Sequence, residues 1–311
     1  MEQKQFEKIQ RTRRLRGAIF APLMTISPKF ATELAYFFKF KKKLNLKKPS
    51  DFNEKIQWLK LYYQTPTILK AADKVEVQNI LREKGLENYL IPTLGVYDFP
   101  EEIEWEKLPQ KFVIKTNNAS GTNIVVTNKD DLDIQRAQEQ LKIWLKTNFS
   151  HYALEPQYGE IKPKILIEQF IESNEILYDY RFFCFNGKPE FLYVSIDGTI
   201  DESGYSDKKI KKGFFDFDFK RLYFMKEETE AFNFLNKPKN FDEMIRIAQV
   251  LAKEFPFVRV DLYNIDGNIR FGEMTFTPSS GFASYYTDEA LLELGKKIKL
   301  PEKKQIGYGK R

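Results

Sequence analysis

Four residues near the end of the chain have the types and spacing of a metal and phosphate site. Arg259 and Asp261 are two positions apart in one predicted strand, and Glu273 and Thr275 are two apart in the next. Because strand side chains alternate between faces, each pair points in one direction. Carboxylates on a shared face would hold a hard cation such as Mg²⁺, and the guanidinium would meet an oxyanion. A surface ladder of ion pairs would explain the same residues, so the pattern alone leaves both interpretations open.

The turn between these strands decides whether the two pairs meet. Asp266-Gly267 is a strong hairpin signal. A turn with an odd number of residues puts both pairs on one face, whereas an even number puts them on opposite faces. A shared face would be typical of a site that handles nucleotide phosphates.

A second candidate is the segment from Lys115 to Asn123, in which a strand delivers a lysine into a loop of small residues. Ser120, Gly121 and Thr122 would let backbone N–H groups approach phosphate oxygens, while the lysine supplies a point charge. The segment matches neither the P-loop nor the G-x-G-x-x-G pattern. Taken alone, the segment is better explained by an ordinary polar hairpin turn with an exposed lysine.

A third candidate is the segment ILIEQFIESNE, residues 165–175. A buried strand reaches Glu168 and continues through Gln169, Phe170 and Ile171. The backbone of such a segment can bind an adenine edge, and its apolar side chains can form a wall of the pocket. A strand end with solvated acidic residues is the alternative.

Composition limits the classes of protein and site. The chain has 311 residues, of which 42% are hydrophobic and 30% charged, as in an ordinary globular protein of two or three lobes. Cys184 is the one cysteine and His151 the one histidine, so an internal disulfide and a Cys/His zinc cluster are excluded. The sequence shows no signal peptide and no run of about 18 apolar residues, which predicts a cytosolic protein without a transmembrane helix.

Positive charge is concentrated at the N-terminus. Residues 1–50 hold 13 Lys/Arg against 3 Asp/Glu, mainly in RTRRLR (11–16) and KFKKKLNLKK (39–48). This predicts a peripheral contact with anionic membrane or an acidic polysaccharide, and a solvated helical face is the alternative. Nucleic acid is not predicted as a partner, because no recognition helix or stacking platform is apparent.

Hydrophobic periodicity predicts an α+β protein with mostly antiparallel sheets. The predicted strands are 111–115, 123–127, 164–168, 180–186 and 190–196, followed by the hairpin in 257–278. The predicted helices include 73–84, 131–148 and 241–255.

The order of these segments resembles the ATP-grasp superfamily, and in particular its TupA-like branch, associated with teichuronopeptide and cell-surface polysaccharide biosynthesis. The resemblance covers residues 45–301. It rests on FNEKIQWLKLYY (52–63), ADK (72–74), LGVYD (94–98), RFFCFNGKP (181–189), FPFVRVDLYN (255–264) and FGEMTFTPSSGF (271–282).

The resemblance implies an ATP-grasp fold, in which two α+β lobes grip ATP between antiparallel sheets, here with a basic helical N-terminal extension. Four segments are expected: a basic, mainly helical segment (1–70), a linker helix region (71–110), a small lobe with a phosphate flap (111–170) and a large lobe with the metal-binding hairpin (171–311).

The resemblance also implies roles for individual residues on the nucleotide side. Lys74 and Lys115 would contact the ATP phosphates from two lobes, and Lys115 would also be catalytic. The flap over the phosphates would be Ser120, Gly121 and Thr122.

Adenine would be held by Glu168 and the backbone of Gln169, Phe170 and Ile171. The ribose ligand would be Glu175, which matches by spacing from Glu168, or Asp179, which matches by its place at the head of the next strand.

Asp261 and Glu273 would bind Mg²⁺, and Arg259 would act on the substrate by stabilising the oxyanion of a tetrahedral intermediate. Many superfamily members have an asparagine as third ligand two residues after the glutamate. Here that position is Thr275, a weaker neutral ligand. The acceptor would face Ser279, Ser280 and Gly281.

The implied reaction uses ATP and Mg²⁺ to join a carboxylate to an amine. The carboxylate attacks the γ-phosphate to give an acyl phosphate and ADP, and the amine then displaces phosphate to form an amide. Substrates would be a sugar acid or acidic peptide and an amino acid or small amine. The enzyme would be cytoplasmic, with a peripheral position at the inner face of the membrane as a further expectation from the basic N-terminus. The alternatives are a kinase or glycosyltransferase of polysaccharide assembly and a non-catalytic ATP-binding scaffold.

Overall fold

The computed structural model of the chain describes residues 18–173, 177–196, 211–227 and 235–304. The RTRRLR run and Glu175 therefore lie outside the described residues. The helices are α1 (Pro28–Phe40), α2 (Phe52–Tyr62), α3 (Pro66–Ala72), α4 (Val77–Glu83), α5 (Ile134–Lys146), α6 (Phe149–Ala153), α7 (Phe241–Ala252) and α8 (Asp288–Lys297). The strands are β1 (Thr93–Tyr97), β2 (Phe112–Thr116), β3 (Asn123–Val126), β4 (Ile165–Gln169), β5 (Tyr178–Phe185), β6 (Lys188–Ile196), β7 (Lys211–Phe215), β8 (Arg221–Leu222), β9 (Phe257–Ile265) and β10 (Asn268–Thr275).

The strands form two sheets in the described part of the chain. The smaller has the order β1-β4-β2-β3 and the larger β10-β9-β5-β6-β7-β8. Every strand pairing within them is antiparallel. The predicted α+β class with antiparallel sheets is confirmed.

Helix α5 covers the smaller sheet. Asp133 caps its N-terminus by accepting from the backbone N–H of Arg136, and Ala137, Leu141 and Trp144 are buried at helical spacing. They pack with the strand residues of β2 and β4 in one apolar cluster. The sheet is therefore a lobe with its own core.

The larger sheet is covered on both faces. On one face, α7 buries Met244, Ile247 and Leu251 against β5, β6 and β9. On the other face, Phe52 of α2 packs its ring against Phe257 and other aromatic side chains of the sheet. Helix α2 also contacts α8 and the turn at Pro278–Gly281. Helix α2 thus belongs to the core of the large lobe.

Helix α1 and the residues before it pack beside the end of α6. Ser27 caps α1 by accepting from the N–H of Phe30, and Pro28 starts the helix, where a missing N–H costs little. Phe20, Met24, Ala31 and Ala35 pack with Leu154. Of the described residues, no helix is both long and apolar enough to cross a membrane.

The segment preceding α4 differs from the sequence prediction of a helix starting at Asp73. Asp73 accepts from the N–H groups of Val75 and Glu76, which form a turn, and the helix proper begins at Val77. The Asp side chain stabilises this turn by local hydrogen bonding, so the polar residues at 73–76 lie ahead of the helix.

Candidate active site

A β-bulge brings the four hairpin residues onto one face of the large sheet. The turn Asp266-Gly267 has two residues, and with regular pairing this even count would place the two pairs on opposite faces. The register shifts by one residue at Gly272, so that Glu273 lies opposite Asp261, and Thr275 lies opposite Arg259.

Arg259 bonds to all three other members of this group. Its Nε donates to Asp261 Oδ1 at 2.7 Å and its Nη2 to Asp261 Oδ2 at 2.5 Å. Nη2 also lies 3.2 Å from Glu273 Oε1 and 3.0 Å from Thr275 Oγ1, while the Thr275 hydroxyl donates to Glu273 at 2.8 Å. The predicted set is therefore one connected network and not a row of separate surface pairs.

Burial and the neighbouring cations shift the pKa values of Glu273 and Asp261 in opposite directions. Burial raises both values, and the cations lower them. Burial opposes the ionisation of Glu273, but Arg259 and Lys74 outweigh it and hold the pKa of Glu273 below its usual value. Burial raises the pKa of Asp261, although Arg259 and Arg181 counter that effect. The cations around these carboxylates compensate for their removal from water.

The donor set fits Mg²⁺ held partly by a nucleotide. Among the described residues, no group of three or more His, Cys, Asp or Glu side chains could hold a metal ion alone. Mg²⁺ commonly binds through one or two carboxylates plus substrate phosphates. Asp261 and Glu273, which are register partners, supply that number.

The predicted phosphate lysine of the small lobe is paired with the predicted adenine-site acid. Lys115 Nζ on β2 donates to Glu168 Oε2 on β4 at 2.6 Å. In the loop that follows β2, Ser120 and Gly121 are exposed. Thr122 is buried and its hydroxyl bonds to that of Thr116 at 2.7 Å. Thr122 therefore joins the two ends of the loop in the protein interior, while Ser120 and Gly121 are accessible to solvent.

Lys74 connects the turn before α4 to this loop. Its Nζ donates to the carbonyl oxygen of Ala119. Burial lowers the pKa of Lys74, and the nearby charges of Glu273 and Glu168 oppose the shift. Lys74 thus lies between the hairpin carboxylates of the large lobe and the small-lobe lysine–glutamate pair.

The predicted adenine and ribose residues lie on different sheets. Gln169 is exposed at the end of β4, and Phe170 and Ile171 are half-buried beyond it. Asp179 is buried on the large sheet and accepts from Arg181 Nε at 2.7 Å. Because Glu175 is outside the described residues, the choice between it and Asp179 stays open.

A cavity of about 480 Å³ adjoins the hairpin network. Its wall includes Arg259, Glu273 and Thr275 from the network, and Ser279 and Ser280 from the following turn. The remaining lining residues come from α1, the loop after β2, α6 and the turn after it, and the two ends of the turn at 278–281: Ala35, Lys39, Ser120, Phe149, Ala153, Glu155, Tyr158, Thr277 and Phe282.

Helix α2 holds the turn at 278–281 in place. Gln57 Nε2 donates to the carbonyl of Gly281 at 2.8 Å, and Lys60 Nζ donates to that of Ser280 at 3.0 Å. Ser279, Ser280 and Gly281 all have positive φ, between 51° and 72°. The two serines reach the cavity, whereas Gly281 is buried against Gln57 and supports them from behind.

The sequence reasoning did not single out several residues of this site. Arg181 lies directly opposite Asp261 on β5, with Nε 3.7 Å from its Oδ2. Alternation from Asp179 would have placed it on the same face. Glu155, which lines the cavity and accepts from the Thr277 hydroxyl, comes from a distant turn and has no local sequence signal.

The family model for TupA-like ATP-grasp proteins matches residues 54–299. The chain belongs to this family. The match includes both sheets, Lys74, Lys115 and the hairpin network, and the ATP-grasp fold expected from the sequence is confirmed. No match was found among curated proteins.

Solved structures of ligases share this fold. An L-amino acid ligase from Bacillus licheniformis is 14% identical, with 87% of this chain and 61% of that chain covered at a TM-score of 0.51. A D-alanine–D-alanine ligase from Bacillus anthracis is 18% identical, with coverages of 80% and 75% and a TM-score of 0.45. These identities are low, so the likeness concerns the fold.

Proposed function

We propose that this ATP-grasp protein is an ATP- and Mg²⁺-dependent carboxylate–amine ligase. The observation that carries the proposal is the cavity that shares Arg259, Glu273 and Thr275 with the hairpin network. A substrate in this cavity would lie against the groups that face the nucleotide phosphates. Family membership supports the nucleotide side, and ligases are among the solved structures that share the fold.

Each cation has a role that its position favours. Lys74 and Lys115 would bind the phosphates from opposite sides, and Asp261 and Glu273 would hold Mg²⁺, which neutralises charge on the transferred phosphoryl group when bound. Arg259 would stabilise the oxyanion that forms when the amine attacks the acyl phosphate. Phosphoryl transfer to a carboxylate needs positioning and charge, so no side-chain nucleophile is required.

The cavity has charges of both signs for the two substrates. Lys39 and Arg259 suit the carboxylate of the acceptor, and Glu155 suits the ammonium group of the amine. Ser120 would close over the reacting groups and keep water from the acyl phosphate. The basic N-terminal region favours an acidic acceptor, such as a sugar acid or an acidic peptide.

The cellular role is proposed from the family. A TupA-like protein of this kind would act at the cytoplasmic side in cell-surface polysaccharide biosynthesis, attaching an amino acid or small amine to an acidic glycan or peptide. Residues 1–50 are proposed to contact anionic membrane or acidic polysaccharide.

The test is ADP release with MgATP, a panel of uronic acids and acidic peptides, and a panel of amines, with amide products identified by mass. Asp261→Asn and Glu273→Gln should each lower turnover by about 10²-fold or more, because each removes a metal-binding charge. Arg270→Lys, near the turn of the same hairpin, where Arg270 donates to the carbonyl of Asn88, is the matched control. Full turnover in both carboxylate variants would refute the assigned site.

The products also separate the alternatives. A stable phosphorylated product without any amine would identify a kinase, and sugar transfer without ATP would identify a glycosyltransferase. Tight ATP binding without turnover across both panels would identify a scaffold.

A further inference from the structure

Helix α1 has an exposed aromatic face. Phe30, Phe37 and Phe38 are 53%, 50% and 60% exposed, and Ile26, just before the helix, is 81% exposed. Phe30, Phe37 and Phe38 lie within about 100° of one another around the helix axis, on the side away from the buried Thr32 and Tyr36. Scattered exposed apolar residues need no explanation, but a contiguous group on one face marks an interaction surface.

Cations surround this face. Residues 18–50 contain seven lysines and a single acidic residue, Glu33. Lys29, Lys41 and Lys43 are exposed, and Lys41 Nζ lies 5.8 Å from the centre of the Phe38 ring. An aromatic face bordered by lysines is the pattern of a helix that lies in the interface of an anionic membrane.

We propose that the exposed face of α1, formed by Phe30, Phe37, Phe38 and the lysines beside them, docks on an anionic phospholipid surface. The aromatic side chains enter the headgroup boundary and the lysines bind the lipid phosphates. The charge of the face selects an anionic surface over a neutral one, and the aromatic side chains select a bilayer over a soluble polyanion. This docking does not require nucleotide or turnover.

The opposite side of helix α1 lines the cavity, so docking of α1 on a membrane would bring the cavity close to that membrane. Ala35 and Lys39 line the cavity beside Arg259, so one helix, about 10 Å across, separates the aromatic face from the cavity. An acceptor carried on the membrane would reach the cavity at its edge. This consequence rests on the proposed ligase activity, whereas the docking, which narrows the proposed contact of residues 1–50 to one face of α1, does not.

The full-length protein is sedimented with vesicles of phosphatidylglycerol and phosphatidylcholine (1:1) or of phosphatidylcholine alone, at 0.1 M and 0.5 M NaCl. We expect binding to the anionic vesicles, with affinity at least tenfold lower at the higher salt concentration. Phe37→Ser with Phe38→Ser should weaken binding at least tenfold. Phe99→Ser is the matched control, because Phe99 is 61% exposed on the other lobe, and it should bind as the wild type does.

A second pair of variants tests the cations. Lys41→Gln with Lys43→Gln should weaken binding to anionic vesicles, whereas Lys188→Gln with Lys296→Gln, which removes two exposed lysines elsewhere, should not. Thermal unfolding of each variant checks that the fold is intact, and the lysine pair keeps the test decisive if the double Phe variant fails to fold.

Four results would overturn the proposal. Equal binding to neutral vesicles would show that the lysines do not select an anionic surface. Unchanged binding of the double Phe variant would show that the aromatic side chains do not contact the bilayer. A dimer in sedimentation velocity that the double Phe variant abolishes would identify the face as a self-association surface. Binding to polygalacturonate that the double Phe variant retains, without vesicle binding, would identify an acidic-glycan surface. ADP release by a protein that fails to bind vesicles would leave the ligase assignment intact.

Discussion

Arg259 holds both oxygens of Asp261 in a bidentate pair, with its Nη2 also within 3.2 Å of Glu273 Oε1. A lysine would keep the charge but lose the planar fork that fixes this geometry. We therefore expect Arg259→Lys to lower ligase turnover by about 10²-fold, the usual size of losing an oxyanion donor. Affinity for a non-hydrolysable ATP analogue should change much less, since Arg259 lines the acceptor cavity.

Steady-state ADP release and calorimetric titration of the analogue separate these two effects. Arg270→Lys is the control, because Arg270 donates to the carbonyl of Asn88 away from the network. Wild-type turnover in Arg259→Lys would mean that the guanidinium serves only to hold Asp261.

Thr275 is predicted to act through its hydroxyl as a link between Arg259 and Glu273. It accepts from Arg259 Nη2 at 3.0 Å and donates to Glu273 Oε1 at 2.8 Å. Thr275→Val, which keeps the shape, should lower turnover by about 10-fold or more, because two hydrogen bonds to charged groups are lost.

Thr275→Asn tests the metal role of this position. An amide oxygen is a better neutral ligand for a hard cation than a bonded hydroxyl. The Mg²⁺ concentration for half-maximal ADP release should therefore fall relative to the wild type, and rise or stay unchanged in Thr275→Val. The same Mg²⁺ requirement in all three proteins would exclude position 275 from the metal site.

The pair Lys115–Glu168 is predicted to serve both stability and nucleotide binding. The two side chains are only 20% and 12% exposed. Lys115→Met should weaken binding of the ATP analogue at least tenfold and destabilise the protein by about 1–3 kcal/mol, because Glu168 is left without its partner. Adding Glu168→Gln should restore part of the stability but none of the affinity.

Urea unfolding and calorimetry measure the two quantities. The control is Lys111→Met, since Lys111 and Glu172 form an exposed pair in the same lobe, and its effect on stability should stay within about 0.5 kcal/mol. Restored affinity in the double variant would contradict a phosphate role for Lys115.

Local patterns predicted most elements of the fold. The hairpin, the strands at 112–116 and 123–126 and the helix at Phe241 all follow from alternation, turn residues and helical spacing. Asp266-Gly267 forms the expected turn, with positive φ at both residues. These features depend on neighbours in sequence, which is why they are predictable.

The number of residues in the hairpin turn does not predict that Arg259 and Asp261 share a sheet face with Glu273 and Thr275. A two-residue turn alone would separate Asp261 from Glu273, and the extra residue Gly272 reverses that outcome. A side chain at Gly272 would place its Cβ 3.1 Å from the carbonyl oxygen of Asp261, so a glycine suits the bulge. Its position becomes visible only from the pairing across the sheet.

Contacts between distant segments were also invisible in the sequence. Lys60 lies in a helix whose sequence gives no sign that it reaches Ser280, 220 residues further along the chain. Lys39 belongs to a basic run that predicted a surface contact, yet its side chain lines the cavity. Such roles depend on how α1 and α2 pack on the lobes.

The carboxyl group of Asp179 should make stability depend on pH. Burial raises its pKa to about 7, with Arg181 opposing the shift and Asp261 adding to it. Between the pKa of the unfolded chain and about 7 the folded state binds the extra proton, so this contribution to stability falls as pH rises. The stability of Asp179→Asn should not decrease in this way as pH rises, because the asparagine side chain cannot ionise.

The melting temperature of Asp179→Asn relative to the wild type should therefore increase from pH 5 to pH 8, by about 2–4 °C for each kcal/mol gained. The exposed Asp98 is the control. Lys162 and Lys164 lower the pKa of Asp98, so Asp98 is already ionised at pH 5 and its contribution to stability is complete there. The difference in melting temperature between Asp98→Asn and the wild type should therefore stay constant from pH 5 to pH 8. A flat difference for Asp179→Asn as well would mean that Asp179 is ionised throughout.

Alanine substitutions at Gly281 and Gly267 should differ in their cost to stability, because the added methyl group meets another side chain at only one of the two positions. Both have positive φ, +72° and +84°. A Cβ at Gly281 would lie 2.8 Å from Gln57 Nε2, whereas a Cβ at Gly267 meets nothing within 4 Å. Gly267→Ala should cost about 1 kcal/mol, the strain of an alanine in the left-handed region.

Gly281→Ala should cost more, about 2–4 kcal/mol, because the same strain is joined by displacement of Gln57 from the Gly281 carbonyl. Since Gln57 and Lys60 hold the turn that carries Ser279 and Ser280 into the cavity, the KM for the acceptor should rise while the affinity for the ATP analogue is retained. Urea unfolding and acceptor titrations measure both. Equal costs for the two glycines would show that α2 yields to the added methyl group and does not fix the acceptor turn.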